Sequence, residues 1–216
     1  MKRYVRAAVR DIGDEDEYTQ MEIAWDSHTK GRQLDELACS PHYDVQLAAL
    51  ENPNVNIQYL IAAANSSDPA FRAMAALNPS TPLDVLEMLS WDWSDQVISN
   101  VAGNPSTPAD VLIRLLDHED YIVRNKIGAN PGITKDVMLE ILDRWDSSSV
   151  SGLANNPNAP SEFLSELAKN SWDSIRCAVA NNPNTDTETL KLLATDGYFS
   201  VKDAAEKQLA LRGETL

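Results

Sequence analysis

The sequence predicts an all-α repeat protein, a solenoid of about seven 26-residue helix–turn–helix units. Three observations predict it. The pair Asn-Pro recurs six times, at Asn52-Pro53, Asn78-Pro79, Asn104-Pro105, Asn130-Pro131, Asn156-Pro157 and Asn182-Pro183, and the interval from each pair to the next never changes. Apolar residues hold fixed places between these pairs. Helix-start and turn residues recur in the same phase. A constant period in this range marks stacked supersecondary units, none of which can bury its apolar face alone.

With each Asn as position 1, position 9 reads Leu60, Leu86, Leu112, Met138, Leu164 and Leu190. One step back is Leu34, so a seventh, degenerate repeat begins near Asp26. Position 12 reads Leu37, Ala63, Leu89, Leu115, Ile141, Leu167 and Leu193. A separation of three puts both columns on one face of a first helix, expected near positions 5–14. Position 20 reads Val45, Phe71, Val97, Val123, Ser149, Ile175 and Val201. Position 24 reads Ala49, Ala75, Val101, Ile127, Leu153, Val179 and Ala205. These lie four apart on a second helix, expected near positions 18–26. Only Ser149 interrupts the columns, and Val150 beside it can take its place. Small residues at position 25 (Ala102, Gly128, Ala154, Ala180) would let neighbouring layers approach closely, and suggest a second helix that is short or partly 3-10.

Thr81-Pro82-Leu83-Asp84 and Thr107-Pro108-Ala109-Asp110 suggest Thr as helix N-cap, Pro in the first turn and Asp at the capping-box place. Thr185-Asp186-Thr187-Glu188 repeats the pattern without Pro. The Asn before each Pro is driven out of the α region, which ends the second helix. Residues 1–13 resemble a second helix, since Tyr4-Val5-Arg6-Ala7-Ala8-Val9-Arg10 parallels Tyr121-Ile122-Val123-Arg124-Asn125-Lys126-Ile127. With residues 14–25 read as an acidic insertion, residues 1–25 form an N-terminal cap. The seven repeats then span 26–207, and 208–216 form the C-terminal cap and tail.

The pattern Asn-Pro-x-Thr-Pro, Leu-x-x-Leu, Val-Arg, Asn-Pro resembles the leucine-rich repeat variant family. Asn78-Pro79-Ser80-Thr81-Pro82, Asn104-Pro105-Ser106-Thr107-Pro108, Val123-Arg124 and Ile175-Arg176 carry the resemblance, which covers roughly residues 26–210. It implies a right-handed superhelix of alternating α and short or 3-10 helices, with HEAT-type repeats as near neighbours. Some members of that family hold an iron–sulfur centre on an N-terminal cysteine cluster. The first 38 residues here contain no Cys, and ligation needs about four thiolates, so no cofactor is expected.

Composition narrows the function. Net charge is −15, which argues against direct nucleic-acid binding and suits a basic partner. No run approaches 18 apolar residues, and no apolar run follows the basic N-terminus, so neither a membrane span nor a signal peptide is expected. Cys39 and Cys177 would lie five repeats apart, too far to bridge, and free thiols point to the cytoplasm. His28, His42 and His118 are scattered. No metal pair, nucleophile elbow or phosphate loop is present, and no enzymatic activity is expected.

Four columns could bear function. The Asn column suits turn backbone in adjacent layers. The position-7 acids, Asp84, Asp110, Asp136, Glu162 and Glu188, suit helix starts, or else a basic extended partner. At position 21, Arg72, Arg124, Arg176 and Lys202 suit pairing with neighbouring acids, or an anion groove. The aromatic residues are the favoured site. Of 14 Trp, Tyr and Phe, eight fall at positions 14–18: Tyr43, Trp91, Trp93, Tyr121, Trp145, Trp172, Tyr198 and Phe199. Uniform scatter would place fewer than three there. Acids gather in and near the same window. The partner-binding residues expected are Trp91, Trp93, Tyr121, Trp145, Trp172 and Tyr198, anchoring cationic side chains along one edge. Inward rings filling the gap between helices are the alternative. The expected function is a non-enzymatic protein- or peptide-binding scaffold, using this edge or the concave face. A nucleic-acid-mimicking inhibitor and a subunit of an enzyme complex are the alternatives.

Overall fold

A computed structural model describes residues 15–214. The described residues form two compact units, one ending at Val85 and one starting at Leu86. The first carries α1 (Glu17–Trp25), α2 (Arg32–Ala38), α3 (Tyr43–Glu51), α4 (Ile57–Ala64) and α5 (Pro69–Leu77). The division falls within α6 (Leu83–Leu89). The second carries α7 (Asp95–Gly103), α8 (Ala109–Leu115), α9 (Tyr121–Gly128), α10 (Lys135–Arg144), α11 (Ser147–Asn155), α12 (Ser161–Leu167), α13 (Asp173–Asn181), α14 (Thr187–Leu193) and α15 (Phe199–Leu211). No strand occurs among the described residues. The chain is an all-α helical repeat solenoid.

The apolar columns are the core. Every position-9, position-12 and position-24 side chain is buried, and at position 20 only Phe71 is half-exposed. Burying each Leu contributes about 2 kcal/mol, and the repetition of that contribution lets such short helices persist. Ser149 and Val150 are both wholly buried. The serine hydroxyl is satisfied by the Asp146 carbonyl at 3.2 Å.

Three expectations need correction. The second helix is not short or 3-10: α7, α11 and α13 each span nine residues as α-helix, whereas the first helices α8, α12 and α14 span seven. The thin position-25 residues do not shorten it; they let it pack closely against the next. Thr is not the N-cap of α8. Pro108 is, with extended backbone, and the Thr107 hydroxyl instead donates to the Val101 carbonyl at 2.6 Å. Thr81 and Thr185 do the same to Ala75 and Val179, tying each turn to the end of the preceding second helix. Finally, most of the stretch read as an acidic insertion, residues 14–25, is helix: α1 covers Glu17–Trp25. α1 stands one full repeat before α3 at both ends and packs against it, as a second helix does. Its capping residue is Asp16, which accepts from the Thr19 N–H at 2.9 Å. The half-repeat expected at residues 1–13 lies outside the described residues.

The Asn column is a buried ladder. Asn156 donates to the carbonyls of Gly128 and Asn130, both at 2.9 Å, and Asn182 to those of Ala154 and Asn156 at 2.9 and 2.8 Å. Each also accepts the N–H two residues ahead. Asn52, Asn78 and Asn130 repeat the first part of this pattern, 28 and 26 residues back. The amide thus satisfies carbonyls that a terminating helix leaves open.

Candidate functional site

The loop and helix start at positions 14 to 18 present the aromatic residues, and side chains at positions 15 and 21 brace this segment in several repeats. At position 15 a polar atom accepts the N–H of position 17. Asp92 receives Ser94, His118 Nδ1 receives Asp120, Asn170 receives Trp172 and Asp196 receives Tyr198, at 2.8–3.1 Å. At position 21 a long donor reaches back to the loop carbonyls. Arg124 donates to those of His118 and Glu119, and Arg176 to those of Asn170 and Ser171 at 2.8 and 3.1 Å. The remaining guanidinium nitrogens meet acids of the next repeat. Arg124 Nε lies 3.2 Å from Asp146, and Arg176 grips both Asp196 oxygens at 2.6 and 3.1 Å. These arginines brace the loop and pair with neighbouring acids.

The Arg176 guanidinium beside Asp196 holds that carboxyl below the usual range, and the arginine's own pKa is raised by the same bond. Asp146 is also lowered: burial opposes its charge, but Ser149 and Arg124 together outweigh burial. A lowered folded pKa contributes stability above the unfolded value, about 3.9, and that contribution disappears as pH falls through the folded value. Asp196→Asn should therefore lower stability at pH 7 by about 2 kcal/mol, because the part-buried Arg176 is left with a weaker partner. The deficit should shrink below about pH 4, where the parent carboxylate protonates as well. Urea midpoints of both proteins at pH 7 and pH 3 test this; equal deficits at the two values would contradict it.

All six expected partner-binding residues fall in the second unit, and all are exposed: Trp91 and Trp93 by 71% and 78%, Tyr121 by 65%, Trp145 by 37%, Trp172 by 45% and Tyr198 by 56%. Inward filling of the gap between helices does not describe them. Two of the six occupy the N-cap place where Asp120 and Asp146 hydrogen-bond helix N–H groups; Trp172 and Tyr198 give no such cap. Trp145 sits at φ 53°, ψ 30°, the one non-glycine residue with positive φ among those described. A bulky side chain in that region costs on the order of 1 kcal/mol. It arises because α10 runs to Arg144, leaving only Trp145 and Asp146 before α11.

The structure does not bring the six into one cluster. Trp91 lines a cleft of about 320 Å³ with Arg114, whose guanidinium carbon stands 3.8 Å over the indole while its Nη2 donates to Ser90 Oγ at 2.5 Å. Tyr198 lies 5.4 Å from the Arg176 guanidinium carbon. Tyr121 and Trp172 line a separate cleft of about 460 Å³ over α11, with Asn125, Ser147, Ser148 and Ser151. Sequence reasoning missed the serines and Arg114. The signal for the serines was available in the run Ser147-Ser148-Ser149-Val150-Ser151-Gly152, where neighbouring second helices carry larger side chains. The position-7 acids are exposed in the first turns of their helices, and Glu162 pairs with Lys135 at 3.2 Å.

Among the described residues, no group of three His, Cys, Asp or Glu is placed to hold a metal, and no helix is long and apolar enough to cross a membrane. These features define a helical repeat protein with exposed aromatic side chains at the starts of its second helices.

No protein-family model matches the chain, and no curated protein matches its sequence. Solved structures similar to it include a leucine-rich repeat variant described as having a novel repetitive structural motif. That match has 18% identity and a TM-score of 0.36, covering 85% of this chain and 88% of the other. Another is an engineered protein from the Northeast Structural Genomics Consortium, at 16% identity and a TM-score of 0.34, covering 88% of this chain and 72% of that one.

Proposed function

We propose that this protein is a non-enzymatic scaffold that binds basic protein or peptide segments through the aromatic side chains of its second unit. The observation that carries the reading is their placement against local stability. Trp172 and Tyr198 occupy cap positions without capping, Trp145 holds a left-handed backbone, and Trp93 is 78% exposed. Large aromatic side chains held exposed at places that do not favour them locally mark functional surface. Glu119, Asp120 and Asp173 adjoin Tyr121 and Trp172 in the chain, which suits a cationic partner. Several acids pair within the chain, as in Asp117 with Arg144 and Asp146 with Arg124, which weakens the case for a nucleic-acid mimic. The in-phase Asn-Pro punctuation supports kinship with leucine-rich repeat variant proteins. The two free thiols, Cys39 and Cys177, fit a cytoplasmic site of action.

Fluorescence anisotropy with labelled oligo-arginine, oligo-lysine, oligo-glutamate and duplex DNA tests the reading at low and physiological salt. Basic peptides should bind, and the other two should not. Trp93→Ala should weaken binding with little change in melting temperature. Trp145→Gly should weaken it equally while being about 1 kcal/mol more stable than Trp145→Ala, because glycine relieves the positive φ. Binding unaffected by these changes, or binding confined to DNA, would overturn the proposal.

A further inference from the structure

We infer that the cleft over α11 is an arginine receptor: a guanidinium from a partner peptide lies between Tyr121 and Trp172 on a floor of serine hydroxyls. This rests on the binding reading above and names the side chain that the site takes. Where α11 begins with Ser147 and Ser148, α9 begins with the larger Tyr121 and Ile122, which wall one side; the other wall is Trp172, the residue just before α13. The result is a trough one repeat wide, walled by two aromatic rings and floored by neutral hydrogen-bonding groups. It is also drawn tight, since Gly128 and Gly152 let α9 and α11 pack at backbone contact.

The molecule already shows what such a surface binds. At Trp91 the chain supplies its own arginine: Arg114 stacks on the indole at 3.8 Å and donates to a serine hydroxyl at 2.5 Å. Tyr198 likewise faces Arg176. The trough repeats these components, aromatic face and serine oxygen, without a guanidinium of this chain among its lining residues. Arg124 and Arg176, each next in sequence to a lining residue, are committed to loop carbonyls and to Asp146 and Asp196. A planar cation that stacks and also donates in its own plane fits this combination better than a compact ammonium. Glu119, Asp120 and Asp173 adjoin the walls, and the net charge of −15 favours approach of a cation.

The experiment is titration of the full ¹⁵N-labelled chain with a capped nine-residue peptide, three repeats of Gly-Ser-Arg, followed by its lysine and citrulline counterparts. The arginine peptide should shift the Trp172 indole N–H and the Ser147, Ser148 and Ser151 amides saturably. The lysine peptide should bind about fivefold more weakly, and citrulline should abolish the effect. Ser148→Leu, which fills a half-exposed floor position, should weaken arginine-peptide binding about tenfold, with the helical circular dichroism unchanged. Saturable shifts confined to Trp91 and Trp93 would overturn the arginine receptor and leave the broader reading standing. So would equal binding of lysine, or binding insensitive to Ser148→Leu. No shift anywhere with any basic peptide would overturn both.

Discussion

Gly128→Ala is expected to destabilise the protein by about 3 kcal/mol, lowering the melting temperature by roughly 8 °C. A Cβ on Gly128 would fall 2.1 Å from the Ser149 carbonyl oxygen and 2.6 Å from the Leu153 nitrogen. Across the same contact, one on Gly152 would fall 2.1 Å from the Asn125 oxygen. These are backbone atoms of a neighbouring helix, so no rotamer change makes room; α9 and α11 must separate. Separation opens the core around Ile127 and Leu153, both wholly buried, and loosens the columns on either side. Alanine gains up to about 1 kcal/mol of helix propensity over glycine, which offsets part of the cost. Gly103→Ala supplies the comparison, because its nearest neighbour would be the Lys126 Cδ at 3.5 Å, an ordinary contact. That variant should melt at or above the parent temperature. If Gly128→Ala and Gly103→Ala melt alike, the close approach of α9 and α11 is wrong.

Asn156→Ala should cost a similar amount, about 3 kcal/mol, through hydrogen bonds rather than packing. Asn156 is wholly buried. Its amide satisfies the carbonyls of Gly128 and Asn130 and accepts the Asn158 N–H at 2.8 Å. Truncation removes the donor of two buried carbonyls, of which that of Asn130 keeps the Ile133 N–H, and the acceptor of the Asn158 N–H; the lost bonds cost about 1 kcal/mol each. Asn156→Asp separates this from a simple volume effect. The carboxylate keeps the acceptor but turns a negative charge towards two carbonyl oxygens, so at pH 7 it should be worse than alanine. Its folded pKa is raised by that repulsion and by burial, so the penalty grows as pH rises above the unfolded value of about 3.9. Below that value the protonated acid donates to one carbonyl, and part of the stability returns. Chemical denaturation of the three proteins at pH 3.5 and 7 reads this directly; an aspartate variant insensitive to pH would remove the ladder from the account.

These two sites show how unevenly the fold was legible. The role of the Asn column followed from its period alone, because an amide recurring once per repeat beside a helix stop has open backbone as its natural partner. Which carbonyls of the preceding repeat it meets depends on the stagger of successive layers. The N-cap assignment failed because Thr and Pro compete for it. Proline's fixed φ already gives Pro108 the extended cap geometry, and the freed Thr107 hydroxyl turns to Val101. Helix α1 escaped the column test because its buried residues are Gln20 and Ala24, one place out of phase with the apolar columns. Gln20 is polar yet buried, since its amide donates to the Glu15 carbonyl and accepts from Ser40. That is the bracing role long donors play elsewhere at the same repeat position.

For the site, the sequence by itself determined the phase. A strict repeat assigns each aromatic residue to the loop or first turn before a second helix, because residues at equal phase adopt equal places in a repeated unit. It could not determine that Tyr121 and Trp172 share a cleft while Trp91 already carries an arginine of this chain on one face. Those facts depend on which side chains meet across neighbouring layers and how deep the floor between them lies. Only the tertiary structure decided that, by bringing α9 and α11 to backbone contact at two glycines and leaving the serine face of α11 sunken between aromatic walls. Period is a property of one dimension; the depth of a cleft comes from the packing of three helices in space.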